Sequence, residues 1–245
     1  MHRHYIASGL LLVAGLLVAP AAADIVGSLI VVEARNAGGV GEFIVPPNPN
    51  WYDPNTGTWT WHLPEPARIR NPHTGEVIGT LEQANLRYMD DPVLSFGFSV
   101  SAGQQPTTFT IKTALLQINP PLSPAQGRAS AAVTVTDTEG TGALLRGLGG
   151  TGGDKIYLAH YNGFVPAGTA FAELLTSIAA GPFGSNAASA SVPLTPINVA
   201  VANMSSMVGF ELTAFDLASG TTVYEITPEP AALVLILLGT LMRRR

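Results

Sequence analysis

The chain has no cysteine, only two lysines (Lys112 and Lys155), and charged residues at 12% of its 245 positions, against roughly 25% in an ordinary soluble domain. Without cysteine there are no disulfides, no thiolate metal sites and no thiol nucleophile. Two lysines in an acidic chain leave no basic footprint for a nucleic acid, so no nucleic-acid partner is expected. Long apolar runs are also missing: the longest such segments lie at the two ends and fall short of the ~20 residues of a full membrane helix. The motifs of common catalysis are absent too, with no H-E-x-x-H, G-x-S-x-G, P-loop or dinucleotide fingerprint. Gly147 to Gly153 is glycine-rich but lacks the Lys-Ser/Thr ending that a phosphate loop needs, and reads as a turn. His62, His73 and His160 are too scattered for a sequence-local metal motif. Asp90-Asp91 precedes Pro92 and reads as a turn, because no partner carboxylate at glycosidase spacing can be named. The expectation is a protein that is not an enzyme and carries no cofactor.

Glycine (26) and proline (19) are plentiful, which suits short strands between punctuated turns. Period-two alternation is clearest in the centre. Leu94, Phe96, Phe98 and Val100 alternate with Ser95, Gly97, Ser99 and Ser101; Thr107, Phe109, Ile111 and Thr113 alternate with Thr108, Thr110 and Lys112; Ala129, Ala131, Val133 and Val135 alternate with Ser130, Ala132, Thr134 and Thr136. One apolar and one small polar face is the pattern of a half-buried antiparallel strand. Ile25 to Ala34, Lys155 to Tyr161, Ser206 to Leu217 and Thr221 to Ile226 read as further strands. Asp53 to Gly57 and Asn71 to Gly75 read as hairpin turns. Only Thr169 to Ala180 departs, with Phe171, Leu174, Leu175 and Ile178 at helical spacing, which predicts one short helix. The fold expected is all-β, an antiparallel, jelly-roll-like β-sandwich over residues 24–226.

The two ends differ from this body. Arg3 with His2 and His4, the apolar Ile6 to Val18, and Pro20-Ala21-Ala22-Ala23 before Asp24 form the three parts of a secretory signal peptide over residues 1–23, read by a secretion translocon. At the other end, residues 227–245 carry Pro228-Glu229-Pro230, an apolar segment from Ala231 to Met242 that includes Leu235 and Leu238, and then Arg243, Arg244 and Arg245. Proline fixes φ and removes a donor, so the tripeptide is expected to stay extended, exposed and out of any sheet ladder. The arginines favour the cytoplasmic side. As a helix the apolar segment spans roughly 18 Å at ~1.5 Å per residue, short of a hydrocarbon core of about 30 Å; arginine snorkelling and local thinning narrow the gap.

A stiff acidic tripeptide, an apolar segment and a terminal arginine cluster, in that order, resemble the PEP-CTERM sorting signal of exported bacterial proteins. The order carries the resemblance, since Pro64-Glu65-Pro66 is the same tripeptide with no apolar run after it and reads as a loop. The resemblance implies an exosortase-type membrane protease as partner and transient inner-membrane anchoring through the tail. It also implies a final location at the cell surface or in an exopolysaccharide or biofilm matrix. Asp91-Pro92, Leu94-Ser95-Phe96, Ala102-Gly103, Thr107 to Ile111, Thr136-Asp137 and Ala159 to Gly163 look, more diffusely, like the β-rich body of such proteins, which implies an extracellular sandwich and no particular chemistry. Removing both ends takes away four arginines and one glutamate, leaving a body with 8 basic and 16 acidic residues, net −8.

Two sets of residues in the body are candidates for binding. Trp51, Tyr52, Trp59 and Trp61 gather all three tryptophans within eleven positions around the Asp53 to Gly57 turn. Trp59 and Trp61 fall on one side of a strand, about 7 Å apart at ~3.4 Å per residue, a spacing that could serve successive sugar rings. The same aromatics could equally be core, and core is favoured because Thr58, Thr60 and His62 already provide a polar outer face. The second set is Asp137, Glu139 and Asp154 around Asp137-Thr138-Glu139-Gly140-Thr141-Gly142, which looks like a worn calcium loop. It lacks the bidentate glutamate such a loop needs six residues past its glycine, where Leu148 stands, so a plain turn is favoured. The function expected is an exported, non-enzymatic surface or matrix protein; the alternative is a carbohydrate-binding module acting on exopolysaccharide through its tryptophans.

Overall fold

The computed structural model describes residues 22–229. Along the chain run β1 (Ala22–Asn36), β2 (Gly39–Val45), a 3-10 turn (Pro49–Trp51), β3 (Tyr52–Asp53), β4 (Thr58–His62), β5 (Ala67–Arg70), β6 (Val77–Met89), β7 (Val93–Ala102), β8 (Thr107–Leu122) and β9 (Ala125–Thr136). Then follow β10 (Ala143–Gly147), β11 (Tyr157–Tyr161), β12 (Thr169–Leu174), β13 (Ser177–Ala180), β14 (Ser185–Ile197), β15 (Val201–Leu212) and β16 (Leu217–Pro228). The first sheet has the order β12-β11-β15-β8-β1-β2, with β10 beside β15 and β13 beside β10; the second is β14-β9-β16-β7-β6-β4-β3, with β5 on β6. All pairings are antiparallel. The molecule is an all-β sandwich, as the alternation requires.

The alternating residues do the packing. Leu94, Phe96, Phe98 and Val100 of β7, Thr107, Phe109, Ile111 and Thr113 of β8, and Ala129, Ala131, Val133 and Val135 of β9 are all buried. The two sheets meet through aromatic rings: Phe210 of β15 stacks on Phe98 of β7, with centroids 6.0 Å apart, and lies 5.8 Å from Phe109. Such pairs contribute about 0.5–1.5 kcal/mol beyond the area they bury.

Two expectations fail here. Thr169 to Ala180 is not a helix but two short strands, β12 and β13, joined at Leu175, where φ is a left-handed 61°. Its partners are β11 and β10. The helical spacing has a specific origin: the β11–β12 register slips so that Ala159 faces Ala172 while His160 faces Ala170, leaving Phe171 as the extra residue of a bulge. Its ring lies 5.4 Å from that of Tyr224. A bulge plus a tight turn thus mimics a 3.6-residue period.

The second failure is at the C-terminal tripeptide. Pro228 does enter a ladder, as the last residue of β16, opposite Ala125. It is tolerated because β16 has only one neighbour at that point. Pairing with β7 ends at Glu225 opposite Val93. Ile226 N–H reaches Pro92 O on the β7 side, and Glu229 N–H reaches Pro124 O on the β9 side. By strand alternation the N–H that Pro228 lacks would point to the side where β7 has ended. Pro64-Glu65-Pro66 is the loop between β4 and β5, as expected.

Candidate functional site

The aromatic cluster is assembled by the Asp53–Gly57 turn. Asp53 Oδ1 accepts from the N–H of Asn55 at 2.9 Å, and Oδ2 from the Thr56 hydroxyl at 3.0 Å; these bonds to the charged form hold the Asp53 carboxyl below the ordinary range. The turn sets Tyr52 opposite Trp59, and their rings lie 5.1 Å apart at 39°. Trp51, on the preceding 3-10 turn, lies instead over Trp61, at 6.3 Å and 58°. Trp61 is therefore core, only 7% exposed, while Trp51 and Trp59 pack half-buried against that core. The flat Trp59–Trp61 platform read from strand spacing is not formed, because Trp51 occupies the space above Trp61.

What stays open is the Tyr52–Trp59 pair. Tyr52 donates its hydroxyl proton to Asp90 Oδ2 at 2.8 Å, and this bond, with burial and the nearby charge, raises the phenol above its ordinary value. The second oxygen of Asp90 is buried without a partner. Asp90 reaches this place from the β6–β7 turn, where its N–H donates to Gly57 O at 2.8 Å. Sequence reasoning placed Asp90 in a turn and missed its role here; the pairing of β4 with β6, Trp59 opposite Tyr88, brings it across. A half-open aromatic pair can offer one ring face to a sugar; Asp90, with one oxygen on Tyr52 and the other buried, positions the phenol.

The outer face of the second sheet adds a shallow groove, lined by Gln83, Asn85, Gly97, Thr134, Ser189 and Thr221 among others. At Gly97 a Cβ would lie 2.8 Å from the Asn85 amide atoms, so a side chain there would displace that amide.

The calcium candidates do not converge. Asp137 is buried, while Glu139 is exposed and accepts from the Thr141 hydroxyl at 3.3 Å. Asp154 is exposed and pairs with Lys155 at 3.3 Å. Among the described residues no three metal-ligating side chains gather. Asp137 lies instead beside Asp216, each flanking the Thr136–Leu217 pair where β9 and β16 run in register, a neighbour that nothing in the sequence spacing announces.

Of Pro228-Glu229-Pro230, the first two residues are described: Glu229 N–H donates to Pro124 O at 3.1 Å, and its Oε1 accepts from Gln126 Nε2 at 3.4 Å. Pro230, the apolar segment with Ala231, Leu235, Leu238 and Met242, the arginines Arg243 to Arg245, and residues 1–21, the stretch read as a signal peptide, lie outside the described residues.

No family model matches the chain, and no curated protein does. Among solved structures it is similar to TmCBM61 in complex with β-1,4-galactotriose, at 10% identity over 56% of this chain and 82% of that one, TM-score 0.28. A cyclase from Fischerella sp. TAU gives 8% identity over 73% and 84%, TM-score 0.25. The enzymatically active domain of tailspike protein 4 from bacteriophage CBA120 gives 14% identity over 55% of this chain and 17% of that one, TM-score 0.23. TM-scores this low carry no functional weight, and the chain's role has to be read from its own residues.

Proposed function

We propose that this is an exported, non-enzymatic protein of the bacterial surface or extracellular matrix. A translocon reads residues 1–23, and an exosortase-type protease processes the chain near Pro228-Glu229-Pro230 after the tail has held it at the inner membrane. The observation that carries this reading is where the sandwich ends. Its first and last strands, β1 and β16, are both interior strands of their sheets, and its core is filled by residues from Leu29 to Ile226. The described core thus runs from Leu29 to Ile226, while Ala22, Ala23 and Pro228, described residues at the edges of the two sequence signals, extend β1 and β16. Intact-mass measurement on surface-associated protein tests it. The mature form is expected to lack residues 1–23 and Arg243 to Arg245, and a surface form that retains the arginines overturns the processing step.

One observation favours a second reading, carbohydrate binding in that matrix: the half-open Tyr52–Trp59 pair with Asp90 at its side. A glycan-array screen of the body tests it, and an array with no bound glycan removes it.

A further inference from the structure

One end of the sandwich is fastened by two buried carboxyl groups that neither reading above uses. Asp137 directly follows β9 and is 3% exposed; Asp216 directly precedes β16 and is 0% exposed. Oδ2 of Asp137 accepts from the N–H of Gly140 at 2.8 Å and of Phe183 at 2.6 Å, tying the 138–142 loop and the 181–184 turn to the end of β9. Asp216 accepts from Thr138 N–H at 3.4 Å and from the Thr213 hydroxyl, and Thr213 Oγ1 in turn takes the N–H of Leu144 on β10 at 2.9 Å. The two acids flank the last register pair of the β9–β16 ladder, Thr136 opposite Leu217, so their side chains leave neighbouring points of adjacent strands, and the N–H one residue past Asp137 already bonds Asp216. Strands of both sheets thus end on one pair of acids.

Counting donors leaves one gap. Oδ1 of Asp137 is buried with no partner, which is costly for an acceptor, and two ionised carboxylates this close would repel. Among the described residues no cationic side chain bonds to either acid. The titratable side chains on the elements packed around the pair are Glu139 in the loop, Arg146 on β10 and Glu211 on β15; Arg146 and Glu211 face each other across β10 and β15, and none of the three bonds to either acid. The ends of β7, β13 and β14 that pack here carry no titratable residue. A calcium ion would need six or more oxygen ligands, far more than the one free Asp137 oxygen and the Asp216 carboxyl provide. A proton needs one acceptor.

We infer that Asp216 is held as the carboxylic acid and donates its proton to Oδ1 of Asp137, so that the pair is a one-proton latch between the two sheets that opens as pH rises. The electrostatics agree. Burial, first, and the charge of Asp137 push the Asp216 carboxyl up over the opposing bonds from Thr213 and Thr138. Burial also pushes Asp137 up, but the N–H groups of Phe183, Gly142, Gly140 and Glu139 outweigh it and hold that carboxyl below the ordinary range. The stabilisation from Asp216 is complete below the unfolded aspartate value, about 4, and is lost as pH rises through its raised folded value. That from Asp137 is present above about 4 and is lost as pH falls through its lowered one. The latch is closed between those two folded values. What it fastens are two loops with exposed aromatics at left-handed φ, Phe183 (53°, 76% exposed) and Phe215 (63°, 47% exposed), so opening the pair frees an apolar loop surface.

The test combines carboxyl-carbon NMR titration with melting curves from pH 4 to 9, in calcium and in chelator, on the body and on Asp216→Asn. That variant keeps a donor toward Asp137 and carries no charge. The expected result is one aspartate resonance titrating above the ordinary range, absent from the variant, and a downward slope of Tm with rising pH that Asp216→Asn removes. A wild type in which every aspartate titrates in the ordinary range overturns the latch, as do equal slopes in the two proteins. A calcium-dependent rise in Tm that Asp216→Asn abolishes also overturns it and assigns the gap to a metal. If the variant does not fold, the wild-type NMR titration decides alone.

Discussion

The hydroxyl of Tyr88 donates to the carbonyl of Leu29 at 2.5 Å, across the interface between the two sheets. It also accepts from the N–H of Ala114 at 3.4 Å. Both backbone groups belong to the irregularity where β1 slips against β8 between Val26 and Ile30. Tyr88, fully buried on β6, thus supplies from the opposite sheet the hydrogen bonds that the bulge takes out of the ladder. Tyr88→Phe keeps the ring and leaves two buried backbone groups unpaired. The expected cost is about 1–3 kcal/mol for each group, read by denaturant unfolding with an unchanged m-value.

Trp61 and Trp59 differ although they share a strand face. Trp61 is core, so Trp61→Ala is expected to lose about 3–5 kcal/mol of stability. Trp59 is half-buried, and Trp59→Ala is expected to lose clearly less. If a glycan binds the wild type, its affinity falls with Trp59→Ala and with Tyr52→Ala at nearly unchanged Tm. Loss of binding through Trp61→Ala alone would place the ligand elsewhere.

Gly57 carries the turn that builds the aromatic cluster. Its φ is +59°, and a Cβ there would lie 2.6 Å from Asp90 Oδ2. Gly57→Ala is expected to cost about 1–2 kcal/mol for the left-handed backbone and to push Asp90 off the Tyr52 hydroxyl. A lowered tyrosine titration midpoint in the variant, measured by ultraviolet absorbance, reports that second effect.

His160 gives a pH dependence on the acid side. It is 5% exposed and meets Gly168 O through Nδ1 at 3.0 Å. Burial pushes its pKa down, against weaker upward pulls from Gly168 O and Glu173. Because the folded state disfavours the charged ring, its contribution is present above the unfolded histidine value, about 6.5, and is lost as pH falls from there through the lowered folded value. His160→Gln should flatten the fall in Tm below about pH 6.5; an unchanged fall assigns it to other groups.

The strands of the centre were legible because their signal is local. β7, β8 and β9 alternate apolar and small polar residues, and side-chain direction along an extended chain follows from covalent geometry alone. The proposed terminal signals rest on charge, length and order along the chain, and lie mostly outside the described residues. Four outcomes needed the tertiary structure. Phe171 looked helical until β11 supplied the register that makes it a bulge. Trp61, for which core was favoured over a sugar platform, is buried with the ring of Trp51 packed against it. Pro228 was set outside any ladder until the end of β7 left its missing N–H facing no partner. Asp137 was read with Glu139 and Asp154, its neighbours along the chain, and was matched instead with Asp216. In each case the deciding residue lies on another segment and is set alongside only by the fold; even Trp51, ten positions before Trp61, reaches it only through the 3-10 turn and the β3–β4 hairpin.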